Sequence, residues 1–209
     1  MATSPAKKTK WVRRSTKKSE DPTPVTVPAG KFILERMSAN LHEIVDVQLL
    51  AFEELGAFIC GGGWTATIFM GKRHKKSHFR QHSGVLALDF DAGLTLAEAK
   101  RRFDEYRHII GLTKSHQKTK NPGTGSEKAA CDRFRVLLFS ERPADSIEEL
   151  EATNKSLYSW NSEADKTCLH AAKVWSPCSE IVVQKAEGRL VAIGRPTAAI
   201  SVPMRAGAG

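Results

Sequence analysis

The chain has 209 residues, with 32 Lys and Arg against 23 Asp and Glu and a formal net charge of +9. That length suits one compact domain with appendages, and 41% hydrophobic residues can bury a sizeable core, which sets wholesale disorder aside. The apolar runs fall far short of the ~20 residues that span a bilayer, and the basic N-terminus has no apolar signal core, so neither membrane insertion nor secretion is expected. The charge points to polyanionic partners, nucleic acid or nucleotides first.

Residues 1–30 read as a flexible basic arm. Lys7, Lys8, Lys10, Arg13, Arg14, Lys17 and Lys18 precede Pro22, Pro24 and Pro28, with too few apolar groups to offset ordering entropy. Such an arm tracks phosphates through counterion release, with Trp11 available to stack on a base, or it simply aids solubility. The folded part begins near Phe32. Ser38 caps a predicted helix from Ala39 to about Leu55, striped by Leu41, Ile44, Val45, Leu49 and Phe52, and Gly56 ends it. Thr65 to Met70 predicts a strand, followed by the basic stretch Lys72 to His82. Val85 to Leu88 is apolar on both faces, which predicts a central strand covered on both sides, running into Asp89-Phe90-Asp91.

Thr95 to Glu98 is a capping box that opens a predicted helix to about Ile110, stopped by Gly111. Leu112 to His116 reads as a short strand, Gln117 to about Ala130 as a polar loop, and Arg133 to Phe139 as a buried strand. Ser146 to Glu149 repeats the capping signal for a helix to about Trp160. Glu180 to Val183 and Leu190 to Ile193 flank a turn at 186–189 and predict a hairpin; residues 196–209 form a loop-like C-terminal tail. Strands alternating with helices, plus the hairpin, give an α+β (mixed α/β) class. No Gly-x-Gly-x-x-Gly follows a strand, and the run at Gly123 to Lys128 lacks P-loop spacing.

Asp89 and Asp91 are the sharpest local feature. Residues i and i+2 of a strand share a face, so the two carboxylates project together while Phe90 turns away. Ionising both is costly without a cation, and Mg2+ or Mn2+ resolves the conflict by binding one or two carboxylates plus substrate phosphates. An ordinary exit from strand to turn also places Asp there. Ser115 and His116 lie at or just past the next predicted strand, where the histidine can donate to a phosphate oxygen. Arg133 and Arg135, again i and i+2, suit triphosphate or template phosphates, or salt bridges on a sheet face. Lys72, Arg73, Lys75, Lys76 and Arg80 offer a rim for a nucleic-acid strand, or a solvated basic loop. Asp165 is a third acidic candidate with Glu163 as its rival, and Lys173 can reach a phosphate. The four cysteines form no CxxC pair; Cys168, His170 and Cys178 match no standard zinc spacing, so zinc is a minority reading.

In order, these pieces resemble the archaeo-eukaryotic primase superfamily, and within it the primase-polymerase domains of phages and plasmids. The stretches that carry the resemblance are Leu86 to Asp91, Thr113 to His116, Arg133 to Leu138 and Asp165 to Pro177. It spans roughly Gly71 to Ile193. The resemblance implies an RRM-like catalytic sheet beside an N-terminal α/β unit, with residues 31–195 as the catalytic domain. It implies Asp89, Asp91 and Asp165 as ligands of two Mg2+ or Mn2+ ions. Ser115 and His116, with Arg133, Arg135 and Lys173, fall at nucleotide-binding positions, although Lys173 stands where such relatives usually carry Arg. The implied activity is template-dependent joining of nucleotides on single-stranded DNA, as DNA primase, DNA polymerase or both. Nucleoside triphosphates and single-stranded DNA are the implied partners, with unwinding left to a separate replicative helicase or to a longer parent chain. A phage- or plasmid-encoded protein in a bacterial cytoplasm fits this role. Two alternatives stay open: an inactive RRM-like module that binds single-stranded nucleic acid, and a metal-dependent nuclease.

Overall fold

The computed structural model describes residues 26–72 and 75–194. The expected arm up to Val25, Arg73 and the expected tail at 196–209 lie outside the described residues.

The N-terminal unit opens with β1 (Lys31–Met37) and β2 (Ile44–Ala51), an antiparallel hairpin in register from Lys31 opposite Ala51 to Arg36 opposite Asp46, with a one-residue shift before Met37 pairs with Ile44. The expected helix from Ala39 to Leu55 is therefore incorrect. Ser38 does not cap a helix; its hydroxyl bonds Asn40 Oδ1 at 2.6 Å and accepts the Glu43 N–H at 3.1 Å, which closes a loop. The segment IVDVQLLA also alternates with period two, and its Val and Ile residues favour a strand. Val45, Val47 and Leu49 point outward, 60%, 49% and 48% exposed, so of the apparent helical stripe only Phe52 is buried in the core. The helix comes next, as α1 (Phe52–Cys60), with Gly56 in its interior. At Gly56 the helix presses on the last strand of the fold: a Cβ there would come within 2.6 Å of Gln184 Oε1. The expected strand at 65–70 is broken in two, β3 (Trp64–Thr65) pairing with β1 and β4 (Thr67–Phe69) pairing with β5 (Phe79–His82).

The second half runs β6 (Val85–Phe90), α2 (Leu96–Arg102), β7 (His108–Leu112), β8 (Phe134–Phe139), α3 (Ile147–Trp160) and β9 (Glu180–Lys185). This βαββαβ order builds one antiparallel sheet, β6-β8-β7-β9, from two interleaved split βαβ units. The fold is thus mixed α+β, with the βαββαβ order of an RRM-like half and an N-terminal α/β unit beside it. The last strand flanks β7, not β6, so β6 is an edge strand where a central one was expected. It is buried all the same: Val85, Leu86 and Leu88 are at most 1% exposed. Its open edge is covered by the Tyr158 hydroxyl on the Ala87 carbonyl (3.4 Å) and the Asp165 N–H on the Asp89 carbonyl (2.8 Å).

The capping box at Thr95 forms, with Thr95 Oγ1 accepting from Glu98 N (3.2 Å) and Glu98 Oε2 from Thr95 N (2.9 Å); at Ser146 only the cap forms, Oγ accepting from Glu149 N (3.1 Å), while Glu149 Oε2 accepts from Asp145 N (3.1 Å). Helix α2 nevertheless stops eight residues short of Ile110, because Ile109 and Ile110 are completely buried within the sheet as part of β7. Gly111 is not a helix stop. It sits mid-strand, where a Cβ would lie 2.7 Å from Cys178 Sγ. The expected hairpin over 180–193 does not form: β9 pairs with β7, and Val191 crosses over to donate to the Phe139 carbonyl at 2.8 Å. One continuous apolar core joins Phe32, Leu55 and Trp64 of the N-terminal unit to Leu88, Ile110 and Val136 of the sheet. Each such side chain contributes about 1.5–3 kcal/mol of burial. Among the described residues, no helix is long and apolar enough to cross a membrane.

Candidate functional site

The sheet end at Asp89, Gly111 and Arg135 opens into a cavity of about 300 Å³. Asp89, Asp91 and Asp165 line it, with Lys114, Lys120, Arg135 and Lys173 as the basic counterparts. The hydroxyl residues Thr113, Ser115 and Ser176 and the thiol residue Cys168 complete its polar wall.

The i, i+2 geometry of the β6 exit accounts for the first two carboxylates, since Phe90 between them is fully buried on the other side. Asp89 faces Arg135 across the strand pair, and the guanidinium grips it twice, Nε to Oδ1 at 2.8 Å and Nη2 to Oδ2 at 3.1 Å. Arg135 Nη1 also donates to the Ser176 carbonyl at 2.6 Å, and its Cζ lies 4.5 Å from the Trp175 ring centroid. Burial opposes the charge on Arg135, but Asp89 outweighs it and holds the guanidinium firmly protonated. Asp91 Oδ2 pairs with Lys120 Nζ at 2.7 Å.

Sequence distance separates Asp165 from Asp89, but the chain brings them together through the Asp165 N–H to Asp89 carbonyl bond. The Asp165 carboxylate caps a short 3-10 turn, accepting from Thr167 N and Thr167 Oγ1, both at 2.9 Å. Burial pushes this carboxyl up, but the Thr167 bonds and the charges of Lys173 and Lys120 outweigh it and leave its pKa below the ordinary range. The rival Glu163 is turned away and forked by Arg102 at 2.9 and 3.1 Å, which lowers its pKa. Cys168 Sγ lies 4.0 Å from Asp89 Oδ2; burial, then the Asp89 charge, pushes the thiol up.

The N-terminal unit positions the basic-aromatic segment at 171–177. Trp64 and Trp175 exchange two backbone bonds (3.0 and 2.8 Å) and stack at 6.1 Å. Thr65 Oγ1 donates to the Lys173 carbonyl and Thr67 Oγ1 to the Ala171 carbonyl, at 2.9 and 2.5 Å. Lys173 Nζ sits 5.3 Å from the Trp175 ring centroid.

Other expected site residues lie elsewhere. His116 does not line the cavity; its Nδ1 accepts the Arg133 N–H at 3.2 Å and its Nε2 lies 4.0 Å from Asp132. Arg133 is completely buried and reaches four carbonyls: Asp91 (3.3 Å), Ser115 (2.8 Å), Lys118 (2.5 Å) and Ala129 (2.7 Å). It is a strut under the site. Lys72, Lys75 and Lys76 are exposed and Arg80 is half-buried; none of the four lines the cavity. Lys120 was missed by sequence reading, because a single Lys in a polar loop carries no signal. Cys168 was seen only as a zinc candidate.

The carboxylates are an oxygen-only acidic set suited to a hard cation. Among the described residues no group of three His, Cys, Asp or Glu forms a ready-made metal cage. Mg2+ does not require one, since it is commonly held by one or two carboxylates with substrate phosphates and water. Asp89 and Asp91 on one rim fit that requirement.

No protein-family model matches this chain, and no curated protein sequence does. Among solved structures it is similar to the AEP domain of the cyanophage S-2L primase-polymerase, at 9% identity and a TM-score of 0.40, over 77% of this chain and 85% of that one.

Proposed function

We propose that this chain is a metal-dependent nucleotidyltransferase that joins nucleotides on single-stranded DNA, as a primase, a DNA polymerase or both. One observation carries the reading: three carboxylates and four cations converge on one cavity at the end of a rigid sheet. A carboxylate rim alone would suit a bare cation, and a basic rim alone would suit a bare phosphate. Both together suit a metal-bound triphosphate.

On this reading Asp89 and Asp91 hold the divalent ion, Mg2+ or Mn2+, and Asp165 completes the acidic rim. When bound, such ions lower the pKa of an attacking 3′-hydroxyl and stabilise charge on the triphosphate and departing pyrophosphate. Lys173 and Lys114 attract phosphate oxygens, and Ser115 and Thr113 offer hydroxyl donors. Arg135 fixes the Asp89 carboxylate and the 176–177 turn. Catalysis then rests on alignment of the hydroxyl with the α-phosphorus and on charge stabilisation. His116 acts through Arg133 and the 113–117 turn, not by touching phosphate directly. Single-stranded DNA crosses the basic surface outside the cavity.

The alternative of a stacking platform finds no support in the sheet. Among the described residues no aromatic side chain on β6, β7 or β8 is exposed, whereas single-strand binding to an RRM-like sheet uses open aromatics. Incubation with primed and unprimed single-stranded DNA, Mn2+ and labelled nucleotides tests the proposal. Lengthened or newly made strands support it. Shortened strands indicate a nuclease, and unchanged strands with intact binding indicate a passive module; either outcome refutes it.

A further inference from the structure

Lys120 occupies the cavity without a role in the scheme above. It sits near the start of the 117–130 loop, where Lys120 and Lys128 exchange two backbone bonds of 2.9 Å and leave the tip at 121–127 exposed. The Arg133 guanidinium anchors the base of this loop through Ser115, Lys118 and Ala129, and the same guanidinium holds the Asp91 carbonyl. One buried cation thus fixes both the loop that carries Lys120 and the turn that carries Asp91.

The two ion pairs in the cavity differ in kind. Arg135 grips Asp89 with two nitrogens, is further tied to Ser176, and has a side chain only 5% exposed. Lys120 makes one contact to Asp91, with side chains 37% and 32% exposed. A lysine on a flexible four-carbon stem exchanges partners readily, while a buried bidentate guanidinium does not. Asp91 is therefore the carboxylate whose resident cation can leave, and Lys120 is the cation that leaves.

Resting on the nucleotidyltransferase reading, we propose that Lys120 is a built-in counter-cation of Asp91 that a divalent ion must displace, and that the freed ammonium then binds a phosphate of the incoming triphosphate. Metal alone must compete with Lys120. Metal together with nucleotide provides the ammonium with a new partner, so the two ligands favour each other's binding. Lys120 is a positioning and phosphate-binding residue, and its loop couples the two events.

The test compares wild type, Lys120→Met and Asp91→Asn in two measurements that do not depend on turnover. Free Mn2+ is counted by electron paramagnetic resonance without nucleotide, and binding of dATP and ATP is measured by calorimetry with Mn2+ present. Loss of one part-exposed ion pair predicts that Lys120→Met binds Mn2+ about 2–5-fold more tightly than wild type. Loss of a charged phosphate contact predicts about tenfold weaker binding of the preferred nucleotide. Unchanged or weaker Mn2+ binding in Lys120→Met, with binding lost in Asp91→Asn, overturns the inference and leaves the metal site standing. Tighter Mn2+ with unchanged nucleotide affinity overturns the transfer to phosphate. Wild-type Mn2+ affinity in Asp91→Asn removes the metal site and the inference together.

Discussion

Asp89 and Asp91 stand two residues apart on one cavity rim, but their replacement by Asn should affect stability very differently. Arg135 is buried, always charged and balanced by Asp89 through two hydrogen bonds. Removing one partner of a buried pair costs about 3–5 kcal/mol, because the other charge is left uncompensated. The Asp89 side chain is 21% exposed, and Asn retains one acceptor for the guanidinium, so the loss falls to the bottom of that range or just below it, about 2–3 kcal/mol. The Asp91–Lys120 pair is one-third exposed at both ends, and such pairs contribute about 1 kcal/mol or less. With an urea slope of ~2 kcal/mol/M, Asp89→Asn should lower the unfolding midpoint by about 1–1.5 M and Asp91→Asn by less than about 0.5 M. The double variant Asp89→Asn/Arg135→Met should be more stable than the sum of its two single losses, since it leaves no orphaned charge. Both single substitutions should abolish nucleotide incorporation, but only Asp91→Asn does so in a protein of near-native stability. Equal midpoints for the two variants would refute the assignment of Arg135 and Asp89 as a buried structural pair.

Two further predictions follow from buried polar groups. Burial pushes Glu35 up to about 7 against one bond from the Phe69 N–H, and its Oε2 has no hydrogen-bond partner among the described residues. Its stabilising contribution is complete below its ordinary range near 4.5 and is lost as pH rises through 7. Burial pushes His82 down to about 3, so its contribution is complete above about 6.5 and lost as pH falls towards 3. The two slopes oppose each other between about 4.5 and 6.5, and Glu35 alone acts above that window. Glu35→Gln should therefore raise the urea midpoint at pH 8 relative to wild type; identical midpoints at pH 5 and pH 8 in both proteins would rule this out. Arg133→Lys replaces a fork that reaches four carbonyls with one ammonium, which orphans at least one buried acceptor and should cost about 1–3 kcal/mol. Limited proteolysis should then cut the 121–127 tip faster, and a wild-type cutting rate would show that Arg133 does not hold the loop.

What could be read from sequence was whatever depends on near neighbours. The Asp89 and Asp91 geometry needs only the two-residue period of a strand, and the caps at Thr95 and Ser146 need only a three-residue spacing. Helix α3 ends at Trp160 as its pattern predicts. The errors arose where short-range patterns allow two answers. Val45 and Leu49 fit a helical stripe, and Val45, Val47 and Leu49 fit one strand face equally well; pairing with β1 decided between them. Gly111 looked like a helix stop because its reason for being glycine, the Cys178 sulfur against its Cα, comes from a residue far along the chain. Site positions were hidden for the same reason. Arg133 and Arg135 share a strand pattern, but one lies under loop carbonyls and the other against Asp89, and only the fold separates them.

On the nucleotidyltransferase proposal, the charge balance of the cavity explains why metal and triphosphate should arrive together. Four cations and three carboxylates leave it close to neutral without a ligand. A triphosphate alone would bring four negative charges against the carboxylates, and two divalent ions alone would bring four positive charges against the lysines and Arg135. Either one raises the electrostatic cost of a partly desolvated site. Together they cancel, and the cavity keeps the near-neutral balance it had before. The arrangement of Lys120 on Asp91 and Arg135 on Asp89 is then the unliganded form of the same balance. Arg135 stays in place in both forms, since its hold on Asp89 is buried and shared with Ser176, and Lys120 is the group free to move. The +9 of the whole chain thus does not describe this site, where four cations face three carboxylates and the balance is close to zero.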